Sequence, residues 1–145
     1  MRARISEVNE PLERVTRGVS RPLVAWMAAI AWAGLIFAFS AQPDLRFARD
    51  ESLDFIVRKL GHAAVFGILV LLLWHAVART TARPRPEAWA LTITVLYAVT
   101  DELHQGGVRG RTASVVDVGI DATGALVAVV AVALISARRV RGGGA

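Results

Sequence analysis

Residues 100–121, TDELHQGGVRGRTASVVDVGID, decide how this chain must fold. The stretch packs Asp101, Glu102, His104, Arg109, Arg111, Asp117 and Asp121 between two long apolar runs, where a lipid-embedded chain should avoid charge. A charged side chain at the centre of a membrane helix costs about 2.5 to 3.5 kcal/mol on insertion scales, and less toward the ends, so each carboxylate needs a partner or water. Upstream, Ala88 to Val99 supplies only 12 uncharged positions. That is about 18 Å of helix against roughly 30 Å of hydrocarbon, so a spanning helix has to continue through Asp101, Glu102, His104 and Gln105. The polar motif is therefore expected inside the membrane profile.

The rest of the chain fits a membrane setting. It has 145 residues, of which 54% are hydrophobic, and a mean hydropathy of +0.48, above the range of ordinary soluble domains. It contains no cysteine, which excludes disulfide frameworks, thiolate zinc sites and thiol nucleophiles. The formal charge is +5 and the isoelectric point near 11.2, but the basic residues alternate with apolar runs. Membrane lipids with anionic headgroups are the expected counter-charge, and no nucleic acid is expected as a partner.

Residues 1–21 read as a polar N-terminal segment, frayed or lying on the surface, with Pro22 opening the first helix. Leu23 to Phe39 are apolar or glycine throughout and form span one. A signal peptide is the rival reading, but the apolar run exceeds the roughly 7 to 15 residues of a signal core. Residues 41–58 form a mixed-charge loop, expected to carry an interfacial helix presenting Leu45, Phe47, Leu53, Phe55 and Ile56. Span two covers Leu60 to Ala78, with Lys59 and His62 at its start and His75 reaching the opposite interface. The linker from Arg79 ends at Pro86, where the helix carrying the polar motif starts. The glycine-rich loop 106–112 leads to a fourth helix, starting at Thr112 or Ser114, with Asp117 placed as in a capping box and an end at Arg138. The domain division is thus 1–21, a four-span membrane domain over 22–137, and a basic, glycine-rich tail over 138–145 whose final GGGA is expected to be disordered.

Lysines and arginines number 11 on the side of the two termini and 6 on the other, which by the positive-inside rule makes both termini cytoplasmic. With four alternating spans, Ser40 and Gln42, Lys59 and His62, Asp101 to Gln105, and Asp117 and Asp121 all fall in the outer leaflet. Helical spacing puts Lys59, His62 and Phe66 on one face, Tyr97, Asp101, His104 and Gln105 on a second, and Asp117, Asp121 and Gly124 on a third. Glu102 points about 100° away from Asp101 and is expected to reach headgroups or the loop arginines. The faces predict a small polar pocket, closed below by apolar packing, with Gly124 allowing close helix approach at its floor. Its candidate ligand-binding residues are Gln42, Lys59, His62, Asp101, Glu102, His104, Gln105, Arg111, Asp117 and Asp121.

Taken together, these residues resemble the VanZ-like family of small bacterial membrane proteins, named for an accessory protein of glycopeptide (teicoplanin) resistance. The resemblance covers roughly Phe39 to Leu126. It rests on Ser40-Ala41-Gln42, on Lys59-Leu60-Gly61-His62 with an aromatic at Phe66, on Thr100-Asp101-Glu102 followed by His104-Gln105, and on Arg111, Ser114, Asp117 and Gly124 in order. The family usually carries tyrosine at Phe66, asparagine at Asp121 and Pro-Gly where this chain has Arg109-Gly110. The resemblance implies an all-α, multi-pass protein of the cell membrane with a role in the bacterial envelope.

Three functional classes fit the residues. In the first, the pocket binds an envelope molecule, a lipid-linked cell-wall precursor or a glycopeptide: Lys59, Arg109 and Arg111 hold phosphate or carboxylate, and Asp101, Glu102 and Gln105 contact polar headgroup atoms. In the second, it is an intramembrane hydrolase or transferase, with His62 or His104 as general base and Asp101 among the catalytic candidates. No nucleophile stands out, because Thr112 and Ser114 are explained as helix caps. No cofactor or metal is expected; a metal on His62, Asp101, His104 and Asp117 is a sub-case whose mixed ligands suit zinc or manganese without a HExxH spacing. In the third, the acids and histidines form an ion or proton path. Against that, polar residues on the cytoplasmic half are few. The bland alternatives are snorkelling for Lys59, lipid phosphate contact for the arginines and packing for the four tryptophans.

Overall fold

The computed structural model describes residues 2–43, 49–82, 84–109 and 111–142, with side chains described from residue 21 to residue 138 within these ranges. These residues form four helices and no strand: α1 (Arg2–Ser40), α2 (Glu51–Thr80), α3 (Pro86–Gln105) and α4 (Val115–Gly142). Arg21–Ser40 within α1, all of α2, and Val115–Arg138 within α4 are long and apolar enough to cross a membrane. Their outward surfaces carry exposed aliphatic side chains, among them Leu23, Met27 and Ile30 on α1, Leu60 and Ile68 on α2, and Leu126 and Val127 on α4. In water such faces would be a liability. Against lipid they are the expected covering.

Several element ends differ from the sequence reading. The first helix does not open at Pro22 but runs from Arg2 through Pro11 and Pro22. Each proline removes one backbone hydrogen bond, and the regular helix on both sides carries the chain across the gap. Helix α2 begins at Glu51, so Leu53, Phe55 and Ile56 are its first turns rather than a separate interfacial helix. Asp50 makes that start, accepting the Leu53 N–H at 2.9 Å, and Glu51 and Asp54 place negative charge on the positive end of the helix dipole. Leu45 and Phe47 lie outside the described residues.

Helix α3 begins at Pro86 and continues unbroken through the polar motif to Gln105. Arg85 before it adopts the left-handed region (φ 58°), and its carbonyl accepts the N–H groups of Ala88 and Trp89. Helix α4 continues past Arg138 to Gly142, and residues 143–145 of the expected disordered tail lie outside the described residues.

Helix α2 is the central element, packed against α1, α3 and α4, while α1 and α4 make no contact among the described residues. Its stripe Phe66, Leu69, Val70 and Leu73 is the middle of the core, at the spacing of one helix face. Helix α1 contributes Ala29 and Ile36, α3 Ala90 and Ala98, and α4 Ala125 and Val129. On α3 and α4 the buried face changes character along its length. Ala90, Thr94 and Ala98 are followed by Asp101, Glu102 and Gln105, and Ala125 and Val129 are preceded by Asp121. One continuous buried face is thus apolar in its body and polar at one end of the bundle.

Candidate functional site

Asp101 organises the polar end. Its side chain is 2% exposed, and Oδ2 accepts both the Ser40 hydroxyl at 2.8 Å and the Gln105 amide at 2.9 Å. The second bond links residues one helical turn apart on α3, and the first ties α3 to the last residue of α1. Arg111 closes the ring from the loop: one terminal nitrogen donates to the Ser40 carbonyl at 2.9 Å and to Gln105 Oε1 at 3.0 Å. Among the described residues Arg111 has no carboxylate partner, so its charge is held by neutral oxygens.

Two further pairs join α2 to α4. Lys59 Nζ donates to Asp117 Oδ1, both side chains being about a quarter exposed. One turn further in, His62 Nδ1 lies 3.5 Å from Asp121 Oδ1, at the limit of hydrogen-bond reach. Asp121 is 1% exposed, and its Oδ1 is otherwise buried without a hydrogen-bond partner among the described residues, as is Asp101 Oδ1. Such an atom carries an unmet demand for a donor, which proteins satisfy with water or ligand groups.

A cleft of about 220 Å³ opens over these pairs, lined by Arg58, Lys59, His62, Gln105, Arg111, Thr112, Asp117 and Asp121, with Phe55 and Ile120 as its apolar members. Three residues beyond Asp121, at Gly124, α2 and α4 come into backbone contact. A Cβ placed on Gly124 would stand 2.1 Å from the Ala63 carbonyl oxygen, a distance no side chain tolerates, so only glycine permits this crossing. Below the polar layer lies the apolar core around Phe66.

Some residues expected in the pocket stand elsewhere. Gln42, just past the end of α1, is exposed and donates to the Ala38 carbonyl at 3.4 Å. Ser40, two residues earlier, takes the place expected of it because it is the last residue of α1 and faces inward. Glu102 does not reach headgroups or the loop arginines: it is 4% exposed and accepts the Ser114 backbone N–H at 2.6 Å, capping the approach to α4. That bond supplies the helix-start contact expected of a Ser114–Asp117 capping box, while Asp117 turns to Lys59. His104 faces α1, stacked on Phe37 with ring centroids 4.2 Å apart. Arg109 is exposed and takes no part in lining the cleft.

The quartet His62, Asp101, His104 and Asp117 consequently does not converge. Among the described residues no three histidine or acidic side chains stand as a metal would need. Sequence reasoning missed Arg58 and Thr112 as lining residues; it placed Tyr97 on the polar face of α3 but not its partner, the Ala33 carbonyl, to which its hydroxyl donates at 2.6 Å, pinning α3 to α1. The spacing of Arg58, four residues before His62 and so on the same face of α2, was the available signal.

Helices with lipid-facing apolar surfaces and a polar, partly buried end define this chain as a helical membrane protein. It belongs to the VanZ-like family: the family model described as VanZ/LLP1 matches residues 22–136, most of the chain. Neither a curated protein nor a solved structure matched it.

Proposed function

We propose that the chain crosses the cell membrane four times, with both termini cytoplasmic, and that its polar cleft opens in the outer leaflet to bind a lipid-linked molecule of the bacterial envelope. The fourth crossing is α3, whose 20 residues give about 30 Å of helix. The observation that carries the reading is the pairing, in one cleft, of an arginine with no carboxylate partner among the described residues and a buried aspartate oxygen whose nearest donor, His62 Nδ1, stands at 3.5 Å. Arg111 suits a phosphate or carboxylate, and Asp121 Oδ1 suits a hydroxyl or amide N–H. A cell-wall precursor on a lipid carrier has both kinds of group, and so does a glycopeptide. Binding either one would contribute to reduced susceptibility to teicoplanin.

His62 beside Asp121 favours a second reading, an intramembrane hydrolase or transferase. An aspartate on Nδ1 leaves Nε2 as the nitrogen for proton transfer to a substrate. The apolar core beneath the cleft speaks against the ion-path reading.

The test is to purify the protein with native lipids and identify what co-purifies by mass spectrometry, for wild type, Arg111→Gln and Asp101→Asn. The reading expects an envelope amphiphile with wild type that is depleted in both variants. Identical lipids in all three would overturn it. If turnover of the ligand is found, His62→Ala abolishes it and retains binding in the enzyme reading.

A further inference from the structure

A second cavity bears on what kind of molecule the cleft takes. Between α1 and α2 runs a groove of about 370 Å³, walled by Trp32, Leu35, Ile36 and Phe39 on one side and by Val57, Gly61 and Val65 on the other. Its size falls within the roughly 300 to 1,000 Å³ of small-molecule sites. Its lining is apolar along the helices but ends at Ser40, Arg58, His62 and Arg111. Arg58, His62 and Arg111 also line the polar cleft, so the two spaces meet at these side chains. Arg58 already holds Asp54, with Nε 3.0 Å from Oδ2, whereas Arg111 donates only to neutral oxygens. An apolar channel that terminates at a guanidinium with no carboxylate in direct contact among the described residues is complementary to a long hydrocarbon chain ending in an anion.

We propose that the α1/α2 groove holds the hydrocarbon chain of a lipid phosphate whose phosphate is bound at Arg111, with Arg58 in support. The inference rests on the binding role given to the cleft and names the ligand class. Phosphate oxygens accept from the guanidinium, and the headgroup beyond them extends over Lys59, His62 and Asp121 into the cleft. The chain enters sideways from the outer leaflet along the faces of Leu35 and Val57, both part-exposed to lipid.

The experiment places the full chain in phosphatidylcholine nanodiscs and titrates dodecyl phosphate brominated near mid-chain, reading the quenching of Trp32, which stands in the groove wall. A Trp32→Phe variant supplies the background from Trp26, Trp74 and Trp89. Brominated dodecanol controls for partitioning into the bilayer, and inorganic phosphate tests the headgroup alone. Saturation is expected at about tenfold lower mole fraction for the phosphate than for the alcohol, with inorganic phosphate failing to compete at equal concentration.

Arg111→Gln removes that preference, Arg111→Lys retains most of it, and Arg58→Gln reduces it less than Arg111→Gln does. Gly61→Leu fills the groove and removes saturation; a Cβ at Gly61 meets nothing within 4 Å, so the fold accommodates it. Val57→Phe fills it from a second position. Equal quenching by alcohol and phosphate would overturn the proposal together with the cleft reading. A phosphate preference that needs Arg111 but is untouched by Gly61→Leu and Val57→Phe would overturn the groove alone and leave the cleft as a headgroup site.

Discussion

Asp101 shows how a single carboxylate is tolerated at this depth: one oxygen collects two donors from two helices, and the ring is closed from the loop by Arg111. A buried hydrogen bond to a carboxylate contributes on the order of 1 to 3 kcal/mol. Ser40→Ala should therefore lower the melting temperature in detergent modestly. Asp101→Ala should lower it more, because it leaves Gln105 and the Ser40 hydroxyl without their acceptor. Equal losses would show that Asp101 is not the hub. The Lys59–Asp117 pair is a separate case, since each partner is part-exposed. A double-mutant cycle with Lys59→Ala and Asp117→Ala should give a coupling of roughly 0.5 to 3 kcal/mol, and additive losses would mean that the pair contributes nothing beyond its members.

At the scale of elements, the close crossing of α2 and α4 sets the depth at which the two polar pairs meet. Gly124→Ala places a Cβ against the Ala63 backbone and should destabilise by about 1 to 3 kcal/mol as the helices separate. Gly119→Ala on the same helix meets nothing within 4 Å and should be neutral or stabilising by up to about 1 kcal/mol, from helix propensity. Thermal unfolding of the two variants side by side decides the matter; equal effects would remove the close-packing account.

The same elements show what the sequence makes legible. The apolar runs, the continuation of α3 through its charges and the role of Gly124 are legible from run length and side-chain size, both of which act locally. The N-terminal extent of α1 does not follow, because a mid-helix proline resembles a helix start in one dimension. Nor do the partners of Glu102 and His104. Both lie on α3, and helical spacing fixes their angle, but whether that angle meets the Ser114 N–H, Phe37 or lipid depends on where α1 and α4 stand. Gln42 and Ser40 differ in the same way: both are polar at the end of one run, and only the last helical residue is held facing the core.

For the whole molecule, the polar ends of all four helices gather at one end of the bundle, and the proposed function requires that end to face outward. The opposite end is joined by Trp26, whose indole donates to Thr80 Oγ1 at 2.8 Å, and by the linker to α3. The absence of cysteine makes the orientation directly measurable, since any introduced thiol is the sole one in the chain. Thr112 lies at the cleft and Ala82 in the linker at the far end, and both are exposed. Intact cells carrying Thr112→Cys or Ala82→Cys are treated with a membrane-impermeant maleimide. Thr112→Cys is expected to be labelled from outside, and Ala82→Cys only after the membrane is broken. The reverse pattern, or labelling of both from the same side, would contradict an outward-facing cleft at the end of a four-span bundle.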